Sequence, residues 1–168
     1  YIKRKRRHNM IRPIKSNEIM LLADFLYESV FQPDIANPLP RTIIQEPSVW
    51  MYVEGFGSKK DDHCFVAEIN GRIVGAVWVR CIKGFGHIDD SIPEFAIAVY
   101  PRYRRKGIGT KLMKRMLVYL RNQGYKRASL SVQKNNPAVK IYREVGFETV
   151  GENDHDYIMA CALDSIEL

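Results

Sequence analysis

The chain has 168 residues, 46% of them hydrophobic, and a chain of this size can bury about two-thirds of its unfolded surface around one core. It contains no run of roughly 18 apolar residues and begins with charged ones, so no bilayer span or secretory signal is expected and the location expected is cytoplasmic. The formal charge of +7 says little about partners, because Lys3, Arg4, Lys5, Arg6 and Arg7 supply five charges and leave 21 Lys and Arg against 19 Asp and Glu.

That split suggests a basic tail over residues 1–9, either a solvated terminus or an extension ahead of Met10, followed by a single domain over 10–168. Cys64, Cys81 and Cys161 are odd in number and form no CxxC pair, so neither a disulfide framework nor a metal site is expected, and they read as buried small hydrophobes. His8, His63, His87 and His155 are scattered, and only His87 has a polar setting, beside Asp89 and Asp90.

In chain order, Ile11 to Ile14 reads as a short strand and Ser16 to Phe31 as an amphipathic helix capped by Ser16 or Asn17. The prolines between Gln32 and Pro40 mark a loop, and Thr42 to Gly55 reads as helical but broken before Pro47. His63 to Ile69 and Arg72 to Ile82 flank Asn70-Gly71, a strong hairpin signal, so an antiparallel pair is expected there. Glu94 to Val99 is a further strand stopped by Pro101. Gly107 to Asn122 carries Ile108, Leu112, Met113, Met116, Leu117 and Leu120 on one helical stripe, with Gly124 set to end it. Arg127 to Val132 is a strand, Asn136-Pro137 caps a helix running to Val145, and Phe147 to Val150 and Tyr157 to Leu163 complete an α+β chain.

Between the third long strand and the longest helix lies Arg104-Arg105-Lys106-Gly107-Ile108-Gly109. A helix N-terminus offers unpaired N–H groups and the positive end of its dipole, and two glycines admit an anion close to the backbone. Arg102, Arg104, Arg105 and Lys106 add charge for further phosphates, so a polyphosphate cofactor is expected. Leu112 stands where a dinucleotide fingerprint needs its third glycine, and the GK[ST] ending of a P-loop is absent.

Val99-Tyr100-Pro101-Arg102-Tyr103-Arg104-Arg105-Lys106-Gly107-Ile108-Gly109 resembles the cofactor motif of the GNAT superfamily of acetyl-CoA-dependent N-acetyltransferases. Asn135 to Phe147 resembles that superfamily's N-x-x-[AS]-x-x-[LIF]-Y-x-x-x-G-F segment. The resemblance implies a mixed, mostly antiparallel sheet of six to seven strands with about four helices and a V-shaped splay between central strands. It further implies acetyl-CoA as cosubstrate without a metal, its pyrophosphate on the backbone from Arg104 through Gly109 to Thr110. Its pantetheine arm would meet the strand edge at Ile97, Ala98 and Val99, with Asn135 either bonding that arm or capping a helix.

By the same resemblance, Tyr142 is the expected general acid and lines the cofactor channel; a phenol of pKa about 10 is protonated at neutral pH and can donate to a thiolate. Ala138, Ile141 and Val145 are expected to face the core around it. Glu94 is either the base or a solvent-facing strand-end carboxylate, and the oxyanion donor is expected near Ala98 or Val99. Acceptor contacts are sought in Phe31 to Phe56 and His87 to Asp90, among them Asp34, Trp50, Tyr52, Glu54, Asp89 and Asp90. The expected reaction is acetylation of a primary amine on a small molecule or a protein, with a homodimer an open possibility and no membrane partner. A CoA-binding module without catalysis is one alternative. A ribosome- or nucleic-acid-associated acetyltransferase using the basic tail is another, although no nucleic-acid-binding motif accompanies that tail.

Overall fold

A computed structural model describes residues 9–167. The basic tail expected over 1–9 lies outside the described residues except for Asn9, which opens the first strand. Among the described residues seven strands form one sheet: β1 (Asn9–Pro13), β2 (His63–Ile69), β3 (Arg72–Arg80), β4 (Glu94–Val99), β5 (Arg127–Gln133), β6 (Glu148–Glu152) and β7 (Asp156–Ala162), in the spatial order β1-β2-β3-β4-β5-β7-β6. Every neighbouring pair is antiparallel except β4 with β5. Asn70 and Gly71, at φ of 52° and 81°, make the tight β2–β3 turn that their sequence announces.

The helices cover both faces. α3 (Ile108–Asn122) lays Leu112, Met113, Met116, Leu117 and Leu120 onto one face, where Val77, Phe95, Leu130 and Phe147 meet them. α4 (Ala138–Glu144) joins that layer through Val139. On the opposite face α1 (Leu22–Ser29) inserts Leu22, Phe25 and Leu26 against Val66, Ala76, Trp78 and Ala98, and the turns that follow the short α2 (Pro47–Trp50) continue the layer through Val53 and Phe56.

Several boundaries differ from expectation for local reasons. The helix expected from Ser16 to Phe31 is a 3-10 segment over Ser16–Leu21 followed by α1. Neither Ser16 nor Asn17 caps it; Glu18 reaches back to accept the Lys15 N–H at 2.8 Å while Arg12 holds the same carboxylate at 2.8 Å. The segment from Thr42 to Gly55 yields only a 3-10 turn (Arg41–Gln45) and α2, because Pro47 restarts the helix and Gly55 and Gly57, at positive φ, end the turns beyond it. Cys81, expected in a buried strand, lies just past the end of β3 and is half-buried, whereas Cys64 and Cys161 are buried as expected. No described helix is long and apolar enough to cross a membrane.

Candidate active site

β4 and β5 share a single register pair, Glu94 with Ser129, and part beyond it. The alternation of the backbone says which groups face the gap. Tyr100 donates its N–H to Val74 O on the β3 side at 2.9 Å, whereas Pro93 O accepts from Ser129 on the β5 side at 3.0 Å. By that period of two, Ile97 and Val99 turn their peptide groups toward the opening and Ala98 turns its own toward β3. Of the two expected oxyanion donors, Val99 has the N–H that faces the gap.

At the open end of the V the chain turns through Pro101–Tyr103 and enters α3. Arg105 and Gly107 adopt φ of 59° and 79°, and Gly107 is the N-cap residue of α3 with no side-chain hydrogen bond to the first turn. The leading N–H groups of Ile108, Gly109 and Thr110 therefore lack a capping side chain, and Lys111 is the first to bond within the helix, to Gly107 O at 3.1 Å. A Cβ on Gly107 would meet nothing within 4 Å, and one on Gly109 only Ile97 Cδ1 at 4.0 Å. Internal packing thus does not demand glycine at 109, and the unobstructed backbone fits a pyrophosphate.

Arg104 departs from the expected phosphate set. Its Nε donates to Val99 O at 2.8 Å and its guanidinium pairs with Glu28 on α1 at 3.2 Å, while its backbone N–H is taken by Pro101 O. It braces the loop against the strand end. Arg102, Arg105 and Lys106 are exposed and have no ion-pair partner among the described residues, so they remain available for an anion.

α4 carries Tyr142, which packs against the core under α3. Asn136 Oδ1 accepts the Ala138 N–H at 2.9 Å and so caps the helix, leaving Asn135 exposed and uncommitted. At the other end, Gly146 at φ 114° lets Phe147 donate its N–H back to Tyr142 O at 2.9 Å. The Phe147 ring then stands edge-on to both Phe95 of β4 and Tyr142, with centroids at 5.5 and 6.4 Å, and ties α4 to the strand beside the cleft. Ile141, expected in the core, is 38% exposed, and Val139 takes its place. Tyr142 is half-buried, its hydroxyl has no hydrogen-bond partner among the described residues, and burial pushes its pKa up to about 12.

At the closed end of the V, Glu94 is 1% exposed and is not the solvent-facing carboxylate that was one of its two expected roles. Oε1 accepts the Gly84 N–H at 3.0 Å, and Oε2 accepts the Tyr52 hydroxyl at 2.7 Å and the Gly86 N–H at 3.1 Å. Burial raises its pKa, and the Tyr52 bond partly opposes that rise. Tyr52 is itself held by β3: Trp78 Nε1 donates to Tyr52 O at 3.0 Å, and Arg80 donates to Met51 O at 3.0 Å and Glu54 O at 2.7 Å. Sequence reasoning placed Tyr52 only among possible acceptor contacts. Its partnership with Glu94 spans 42 residues and has no local signal. Among the described residues no cluster of His, Cys, Asp and Glu could hold a metal ion.

The family model described as acetyltransferase (GNAT) family matches residues 30–147. An N-alpha-acetyltransferase of Sulfurisphaera tokodaii is 31% identical over 118 residues, an alignment covering 59% of this chain and 68% of that protein. A mycothiol acetyltransferase of Thermobifida fusca is 34% identical over 110 residues, covering 62% of this chain but 31% of the relative, so this chain spans about a third of that protein's length. The crystal structure of the ribosomal-protein-S18-alanine N-acetyltransferase from Escherichia coli superposes with a TM-score of 0.64 at 19% identity, covering 93% and 94% of the two chains. The paia N-acetyltransferase from Thermoplasma acidophilum, in complex with coenzyme A, gives 0.68 at 17% identity, covering 92% and 99%. At those identities the two structures share a fold with this chain. With well over half its length matched by the family model, this protein belongs to the GNAT acetyltransferase family.

Proposed function

We propose that the protein transfers an acetyl group from acetyl-CoA to a primary amine of a small molecule or protein by direct attack. One observation carries the reading: a gap between β4 and β5 whose open end meets the uncapped N-terminus of α3, with the free Tyr142 hydroxyl on the neighbouring helix. When bound, acetyl-CoA supplies an acetyl thioester. The N–H groups from Arg105 to Thr110, with Arg102, Arg105 and Lys106, would hold its pyrophosphate, and the gap-facing peptide groups of Ile97 and Val99, with Asn135, would hold its pantetheine arm. The Val99 N–H stabilises negative charge developing on the acetyl oxygen. Tyr142 keeps its proton at neutral pH and would donate it to the departing CoA thiolate, which leaves as the free thiol.

Glu94 receives the proton released by the attacking amine. Three donors occupy its oxygens, and a carboxylate has about four lone-pair directions, so one remains. Its raised pKa brings it closer to neutrality than an exposed glutamate, which suits a base. The test is thiol release from acetyl-CoA across a panel of amines and amine-terminated peptides, paired with calorimetry of CoA binding. Thiol release with stoichiometric amine acetylation is expected. CoA binding without release over the whole panel would leave a binding module in place of an enzyme, and no CoA binding would remove the cofactor assignment.

A further inference from the structure

The loop between β3 and β4 has a construction that the transfer reaction alone does not require. Three consecutive N–H groups are tied to one acceptor pair: Gly84 and Gly86 donate to Glu94, and between them Phe85 donates to the Tyr52 hydroxyl at 2.9 Å. Neither glycine tolerates a side chain. A Cβ at 84 would stand 2.8 Å from Glu94 Oε2, and one at 86 would stand 2.7 and 2.8 Å from the backbone of Leu130 and Ser131. The loop therefore leaves Glu94 on β4 and crosses onto the backbone of β5, strapping the closed end of the V.

Alternation along the strands fixes its face. Phe95 and Val99 of β4, and Ala128 and Leu130 of β5, belong to the core under α3. Glu94 and Ser129 therefore point to the other face, the side of α1 and α2, where Tyr52 packs. Ser129 is fully buried there, and its Oγ has no hydrogen-bond partner among the described residues.

What the strap presents to solvent is Phe85, 54% exposed and stacked on Tyr52 with centroids 6.4 Å apart and planes 15° from parallel. The carboxylate behind it is 1% exposed and keeps a single open acceptor direction, so the surface offered beside the reacting amine is chiefly aromatic. We infer that Phe85 is a specificity residue for the acceptor: held by the Tyr52–Glu94 pair at the closed end of the cleft, it covers an apolar or aryl group carried beside the reacting amine. The inference rests on the acetyl-transfer reading and names the acceptor class within it.

The test compares kcat/KM for amines matched in charge but differing in the neighbouring group, 2-phenylethylamine against ethanolamine and peptides beginning Ala-Phe against Ala-Ser, in wild type, Phe85→Ala and Phe85→Leu. Wild type should favour the apolar member of at least one pair by about tenfold or more, the discrimination one or two buried methylenes provide. Phe85→Ala should bring that ratio close to one, with the CoA dissociation constant unchanged, and Phe85→Leu should restore most of it. Tyr52→Phe, which releases the Phe85 N–H from the hydroxyl and keeps the ring, should narrow the ratio as well. A wild-type enzyme that acetylates amines with no apolar preference, or a Phe85→Ala variant that keeps the preference, overturns this inference and leaves the acetyl-transfer reading intact. Absence of acetylation of every amine by wild type overturns both.

Discussion

The Tyr52–Glu94 pair depends on a buried charge that can be removed singly. Arg80 is 2% exposed, and Nε and Nη2 grip the two oxygens of Asp62 at 2.9 and 3.1 Å, while Nη1 bonds Met51 O and Glu54 O on either side of Tyr52. Arg80→Met would leave a carboxylate with no accessible side-chain surface and no cation, although the Gly57 and Lys59 N–H groups still reach it at 2.9 and 3.2 Å. Breaking one side of such a pair costs about 3–5 kcal/mol, a large part of the 5–15 kcal/mol that holds a domain together. An unfolding entropy near 2.1 cal/mol/K per residue gives a chain of this length a fall in Tm of roughly 10 °C. The measurement is urea and thermal unfolding of wild type, Arg80→Met, Asp62→Leu and the double variant. The double variant should be less destabilised than the two single losses added together, since it leaves no orphaned charge. A single variant melting within about 2 °C of wild type, or additive losses, would refute the assignment of this pair as the anchor of the Met51–Glu54 turn.

Tyr142→Phe should lower kcat by about 10²-fold or more while calorimetry finds CoA affinity within a factor of about two, because the hydroxyl bonds nothing in the protein and the ring is retained. Gly109→Val should leave the melting temperature nearly unchanged, as a Cβ there has only Ile97 Cδ1 at 4.0 Å, yet weaken CoA binding by at least about tenfold through the blocked backbone approach. Tyr52→Phe removes the hydroxyl bond that favours ionised Glu94, so the already raised pKa should rise further and the acid limb of the pH–rate profile move to higher pH; an unmoved limb would take Glu94 out of the proton path. Glu18, held at about 2 chiefly by its hydrogen bond from Arg12, stabilises the fold above the ordinary carboxylate range. That contribution, about 1 kcal/mol for a pair near the surface, should fade as pH falls from about 4.5 through 2, and denaturant titrations in Arg12→Met should lose this pH dependence.

What could be foreseen in the sequence follows the range of the interactions that decide it. The β2–β3 hairpin, β4 and α3 are set by neighbours a few residues away: Asn70-Gly71, the break at Pro101, and a stripe of apolar residues at helical spacing. Asn136 and Gly146 likewise delimit α4 with bonds reaching two to five residues. Ser16 to Leu21 failed as α-helix because Arg12, on the preceding strand, draws Glu18 back to Lys15. Glu94 was placed on the right strand and at the right end, but its burial depends on donors 10, 8 and 42 residues away, on a loop and a turn with no regular period. Arg104 sits in the phosphate motif yet turns to Glu28, 76 residues distant.

Net charge hid a further arrangement that the fold makes intelligible. Thirteen of the 26 Lys and Arg lie between Phe95 and Arg143, a stretch without a single Asp or Glu, and the residues from Glu144 onward carry seven acids and no Lys or Arg. The basic stretch comprises the end of β4, the loop, α3, β5 and α4. The acids lie on β6, β7 and the part of the chain that builds β1 to β3 with α1 and α2. A body of small net charge thus has one basic and one acidic part, and at physiological salt a surface charge acts over about 8 Å, too short for the two to cancel across the molecule. On the acetyl-transfer reading proposed above, a polyanionic cofactor would be drawn to the α3 side, while an acceptor amine, a cation until it loses its proton, would meet the side that carries the Phe85 strap.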